Sequence, residues 1–176
     1  MRRTAGADLR PLLAGGDRRS IANSDRARAR IEKRPALVKQ LVSLTADDDW
    51  LVVLRALDLL EKFAHDQRAW IEPYKAVFIG PLADSEQWEI RLQIVRALPL
   101  FAWSPAQRRR VEQVLVDNVT FPQTFVRAWA LDGLATFAVQ NAELKPLVER
   151  YLGEFERSAS KALQTRARKI RERLHA

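Results

Sequence analysis

Trp129 and Asp132 are the two residues of this chain whose types and spacing promise the most chemistry. Three positions apart, they share one side of a helix, where an indole face and a carboxylate together attract a cationic ring. Arg96 and Arg168, which flank the pair once the repeats described below are aligned, add positive charge for phosphates. Such a group suits an alkylated, positively charged nucleobase. The competing reading is a solvated helix face with incidental charge order, since a Trp and an Asp three apart on a helix are a common pairing.

The rest of the reactive inventory is thin. The chain has no Cys, which removes disulfides, thiol catalysis and Cys-type zinc sites, and it has two His, His65 and His175, too few for a His-built metal centre. His65-Asp66 falls at a helix end, where His complements the dipole and Asp begins a turn, and no nucleophile partners it. Gly15-Gly16-Asp17 has two readings: an anion-binding nest ahead of a helix, or a turn between two short helices with Asp17 or Ser20 as cap. It matches neither a P-loop nor a dinucleotide fingerprint. The sequence points to no catalytic residue, no metal and no cofactor.

Charge divides the 176 residues unevenly. The net charge is +8, yet residues 1–40 hold 11 basic and 4 acidic residues (+7), residues 156–176 hold 7 and 2 (+5), and residues 41–155 hold 12 and 16 (−4). The basic run Arg26, Arg28, Arg30, Lys33, Arg34 reads either as a phosphate clamp or as the solvated face of a terminal helix. Arg10 and Pro11 interrupt the start Met1-Arg2-Arg3 before any signal-peptide apolar stretch, and no segment reaches the roughly 18 apolar residues of a membrane span. With the absence of Cys this gives an expectation of a soluble, cytoplasmic protein with no membrane partner.

The elements that position these residues come from an internal repeat. Leu60 before Phe63-Ala64, Leu98 before Phe101-Ala102 and Leu134 before Phe137-Ala138 recur at steps of 38 and 36 residues. Trp50 and Trp88 align at a step of 38, Arg91 and Arg127 at 36, and a worn fourth copy starts at Arg166-Ala167. Within a copy, Leu51, Leu54, Leu57, Leu60, Phe63 and Ala64 follow the period of an amphipathic helix. Breaks fall at 45–49, 83–87, 104–105, 120–124 and 140–141. Ser104 ahead of Pro105 reads as a helix start, Ser158 as a cap for the last helix, and Pro99 as the end or kink of a helix. Trp50, Trp70, Trp88 and Trp103 are expected to pack between helices, and Arg108-Arg109-Arg110 to form a solvated first turn.

Two helices per repeat of about 37 residues, neither able to bury its apolar face alone, describe an all-α solenoid of about four helical hairpins with a short N-terminal helical cap. The expected division is a basic cap over 1–34 and an array over 35–176, with repeats at about 35–66, 67–103, 104–140 and 141–176. The array resembles HEAT repeats. Asp47, Asp48 and Asp84 in turns, followed by helices carrying Arg91, Arg127 and Arg166, match the family's turn-Asp and helix-Arg positions, and the resemblance implies that they pair as a ladder between repeats. Thr120, Phe121 and Pro122 depart from it where a third acid would stand. The segment LLAGGDRRSI (12–21), with Pro73-Tyr74-Lys75, further resembles small bacterial HEAT-repeat proteins that have no assigned function.

Equivalent positions of stacked second helices line one face, so two rows become candidate binding residues on the concave side. They are Arg55, Gln93, Trp129, Arg168 and Asp58, Arg96, Asp132, Arg171. A duplex groove would run more uniformly positive, whereas a mixed stripe with an aromatic anchor suits a peptide or protein. The resulting expectation is a non-enzymatic protein–protein interaction scaffold or adaptor whose partner is another protein. The alternative is nucleic-acid binding, or an alkylated-base DNA glycosylase of the HEAT-like type, which the Trp129 and Asp132 pair resembles. Oligomeric state stays open.

Overall fold

Apolar residues at three- and four-residue spacing become helices that hide one face each, and the computed structural model, which describes residues 8–175, contains ten α-helices and no strand among them. The Met1-Arg2-Arg3 start lies outside the described residues. The helices are α1 (Arg10–Leu13), α2 (Ser24–Lys33), α3 (Val38–Ser43), α4 (Trp50–Asp66), α5 (Arg68–Ile71), α6 (Trp88–Ala97), α7 (Pro105–Val119), α8 (Thr124–Ala138), α9 (Lys145–Glu156) and α10 (Lys161–His175). None is long and apolar enough to cross a membrane. The chain divides into two compact units, residues 1–77 and 78–176.

In the first unit, α4 is the central element. Asp49 caps it by accepting from the Leu51 amide, and Val52, Ala56, Leu57, Leu59, Leu60 and Phe63 are buried along it. The ring of Trp70 packs 5.7 Å from Phe63. Leu9 is already fully buried, and Arg10 forms an ion pair with Asp47 at 2.7 Å. The cap is therefore pinned from its first described turn. The two-glycine loop is a turn, with Gly15 and Gly16 at φ of +80° and +72°, which only glycine takes freely, and the Asp17 carboxylate accepting the Arg19 and Ser20 amides that an anion would need; neither Asp17 nor Ser20 caps α2, whose N-cap position is Asn23.

The segment between α4 and α6 departs from a regular helix. Only α5 is α-helical there, since Pro73 withholds the N–H that would extend its ladder; Glu72–Ile79 and Pro81–Asp84 wind as 3-10 turns.

In the second unit, α6, α8 and α10 form one layer, with α7 and α9 behind them. Pro99 ends α6 at Ala97 in a 3-10 turn over Leu98–Leu100. Pro105 begins α7 under a reciprocal capping box between Ser104 and Gln107, and Pro146 stands in the first turn of α9, where a missing N–H costs nothing. Ser158 accepts the Ser160 amide just ahead of α10. Leu98 and Leu134 are fully buried, and Phe101 stacks on Phe78 and meets Trp103 edge-on.

The ladder implied by the HEAT resemblance takes a different form. Asp47 pairs with Arg10, and Asp84 with Arg110, so Arg110 is not the solvated residue expected of its run. Arg91 instead donates to the Ser85 carbonyl and to Asn118 Oδ1, with its guanidinium 4.6 Å from the Phe121 ring centre. Arg127 repeats the scheme on the Val119 carbonyl and the Phe155 ring at 5.2 Å. For Arg91 and Arg127 guanidinium over aromatic replaces guanidinium to carboxylate, which accommodates the turn that has Phe121 in place of an acid, while Arg166 pairs with Asp132 of α8 rather than with a turn acid.

Candidate functional site

The side chains of α8 and α10 diverge enough at one end to leave an open cleft of about 330 Å³. Phe125 and Trp129, one turn apart on α8, form one wall; Lys161, Thr165 and Lys169, spaced by four along α10, form the other, with Arg166 behind them. Buried Ala128 and exposed Ala162 complete the lining with small side chains. Phe125 is 55% exposed, an unusual state for a Phe on a helix otherwise rich in buried residues. Lys161, Thr165 and Lys169 are exposed as well. No carboxylate lines the cleft.

Trp129 is held from both neighbouring second helices. The Arg96 guanidinium of α6 lies 5.4 Å from the centre of its ring, and that of Arg166 on α10 lies 3.9 Å away. Asp132, one turn further along α8, takes Arg166 Nη1 at 2.8 Å and Arg173 Nη2 at 2.7 Å. Two guanidinium groups thus neutralise this largely buried carboxylate and fix the indole. The cation that Trp129 and Asp132 would hold for a damaged base is already supplied by the protein's own arginines, which removes the site's attraction for a charged base.

The eight stripe residues separate into distinct environments. Arg55 was expected on an open face and is buried at 4% exposure: its five N–H groups all donate, to the carbonyls of Leu13, Gly15, Asp17 and Ser20. Gln93 is likewise buried, at 8%, and not on an open face. For Arg55 the reason is that the loop of residues 13–20 covers the helix, a feature that the alignment of helices alone does not contain. Asp58 is half-buried and accepts Lys62 Nζ at 2.8 Å. Arg96, Trp129 and Asp132 form the joined group just described. Arg168 is exposed and pairs with Glu172. Arg171 binds Glu149 and Glu156 on α9, contacts that raise its pKa and lower that of Glu156.

Phe125, Lys161, Thr165 and Lys169 are absent from the sequence-derived stripe. Their signal was available: Phe125 precedes Trp129 by four, and 161, 165 and 169 share a ridge of the last helix. What the sequence lacked was the pairing of those two ridges across one gap.

No family model matches the chain, and no curated protein matches it. Solved structures do. A computationally designed armadillo-repeat protein for modular peptide recognition superposes with a TM-score of 0.63 at 19% identity, covering 94% of this chain and 80% of its own. An engineered protein gives 0.64 at 19% identity, with 96% and 80% covered. A designed armadillo-repeat protein in complex with the peptide (KR)4 gives 0.61 at 20% identity, with 94% and 80% covered. At these identities the likeness establishes the fold alone: a helical-repeat solenoid like that of the designed armadillo-repeat proteins.

Proposed function

We propose that this chain is a non-enzymatic interaction scaffold that takes a peptide segment of a partner protein on the second-helix face of residues 78–176. The observation that carries this reading is the cleft between α8 and α10, where an exposed Phe125 stands beside Trp129 and faces a ridge of polar side chains. Exposed aromatics in concave sites are the usual anchors of peptide recognition. The similarity to designed repeat proteins made for peptide recognition supports the same class of partner. Within the stripe, Arg168 forms an exposed edge of the surface, and Arg96, Asp132 and Arg171 act as its frame through their bonds to neighbouring side chains.

Selection from a random peptide library displayed on phage tests the reading. Purified protein should enrich binders, and the double change Phe125→Ser with Thr165→Arg, which removes the anchor and fills the gap, should abolish their binding while the melting transition stays in place. Binders that ignore the double change would place the interface elsewhere, and a library with no enrichment would refute peptide recognition altogether.

A further inference from the structure

We infer that the cleft between α8 and α10 selects an extended acidic segment with the pattern acid, any residue, large apolar, any residue, acid. This rests on the peptide-binding reading above and specifies its ligand. Charge decides the class of residue. Three cations, Lys161, Arg166 and Lys169, line the cleft without a single carboxylate among its lining residues. Arg166 is committed to Asp132 and to the Trp129 ring, so the two exposed lysines are the groups that present charge outward. Lys161 opens α10, where the positive end of the helix dipole adds to its effect.

Spacing decides the pattern. Eight residues of α-helix separate Lys161 from Lys169, a rise of about 12 Å. An extended peptide advances about 3.3 Å per residue, so side chains four positions apart sit about 13 Å apart and point the same way. The residue midway between them also points that way. It reaches the level of Thr165, across from Phe125 and Trp129, where a large apolar side chain covers the exposed phenyl ring.

A nucleic acid strand fits these observations less well. A phosphate backbone needs a continuous cationic track, and here the other arginines of the face are consumed, Arg171 by Glu149 and Glu156, Arg168 by Glu172 and Arg166 by Asp132.

Fluorescence anisotropy with the labelled peptide GSESWSESG provides the test. Saturable binding is expected, weakened about tenfold or more by Phe125→Ser and by Lys161→Glu with Lys169→Glu. All three positions are exposed, and unchanged melting curves confirm that the variants fold. Replacing both Glu of the probe by Lys should abolish binding to the wild-type protein, and replacing its Trp by Ser should weaken it about tenfold. The inference is overturned if the lysine probe binds as well as the acidic one, if the variants bind the acidic probe unchanged, or if oligothymidylate binds more tightly and is lost with the same variants. A library that yields neutral or basic binders displaced by Phe125→Ser with Thr165→Arg also overturns it, while leaving peptide recognition intact. If no peptide of any charge binds, both readings fall together.

Discussion

The Arg166 guanidinium lies 3.9 Å from the centre of the Trp129 ring while its Nη1 holds Asp132 at 2.8 Å, so one side chain of α10 locks two residues of α8 at once. The pair that looks most reactive in the sequence is thereby the joint between two helices. Its rigidity holds the wall on which Phe125 stands.

Removing the carboxylate from this joint strands two guanidinium groups. Asp132→Ala is expected to destabilise the protein by about 1–3 kcal/mol, measured by urea unfolding. In a double-mutant cycle with Arg166→Met, the combined loss should fall short of the sum, since both changes break the same contact. Strict additivity would mean that the bond contributes nothing.

Arg55→Met retains most of the buried hydrocarbon stem and deletes all five donors. The loss should be about 2–4 kcal/mol, because the carbonyls of Leu13, Gly15, Asp17 and Ser20 lose their shared partner. Hydrogen exchange at the Asn23 amide, which donates to Leu12, should accelerate more than exchange along α8. Lys at the same position should rescue little, since three donors on a flexible stem cannot match the planar fork.

Much of this architecture was legible in the sequence, and the omissions share a cause. The Leu and Phe-Ala repeat located α4 and α8, because burial periodicity is local and survives divergence, whereas its second copy, from Leu98 to Ala102, falls just past the end of α6. Pro99 and Ser104 located a helix end and a helix start for equally local reasons. The burial of Arg55 was not legible because it depends on a loop distant in sequence. The stretch around Pro73 and Pro81 winds as 3-10 turns, which the apolar spacing of the repeat does not contain. The cleft itself depends on how far two ridges diverge, which periodicity cannot encode.

Two helical glycines should respond to alanine with opposite signs. A Cβ at Gly133 would meet Leu115 Cδ2 at 2.9 Å and Pro99 Cγ at 3.3 Å, so overpacking should outweigh the gain in helix propensity and cost about 1–2 kcal/mol. At Gly153 the nearest atoms are the mobile tip of Arg157, so alanine should stabilise α9 by roughly 0.5–1 kcal/mol. Thermal melting of the two variants gives both signs directly.

Acid should loosen the two ends of the chain through Asp47 and Glu156. The Arg10 guanidinium holds the Asp47 carboxyl below its usual pKa, and Arg171 does the same for Glu156. Stabilisation from a lowered carboxylate pKa is complete above the unfolded value and is lost as pH falls through the folded one. The partner arginines stay charged throughout, so they add no pH dependence of their own. The melting temperature should therefore decline below the ordinary carboxylate range. The deficit of Glu156→Gln relative to wild type, visible at neutral pH, should shrink as the acid limb is descended, and a constant deficit would contradict this origin.

Arg55 grips its loop by carbonyl oxygens, a feature that every amino acid shares. The clamp is therefore blind to the identity of the side chains it fastens. It reads the path of the chain and leaves the exposed side chain of Arg19 outside the recognition. The loop's outer surface can change its chemistry without loosening this grip, provided the two glycines and Asp17 keep the turn.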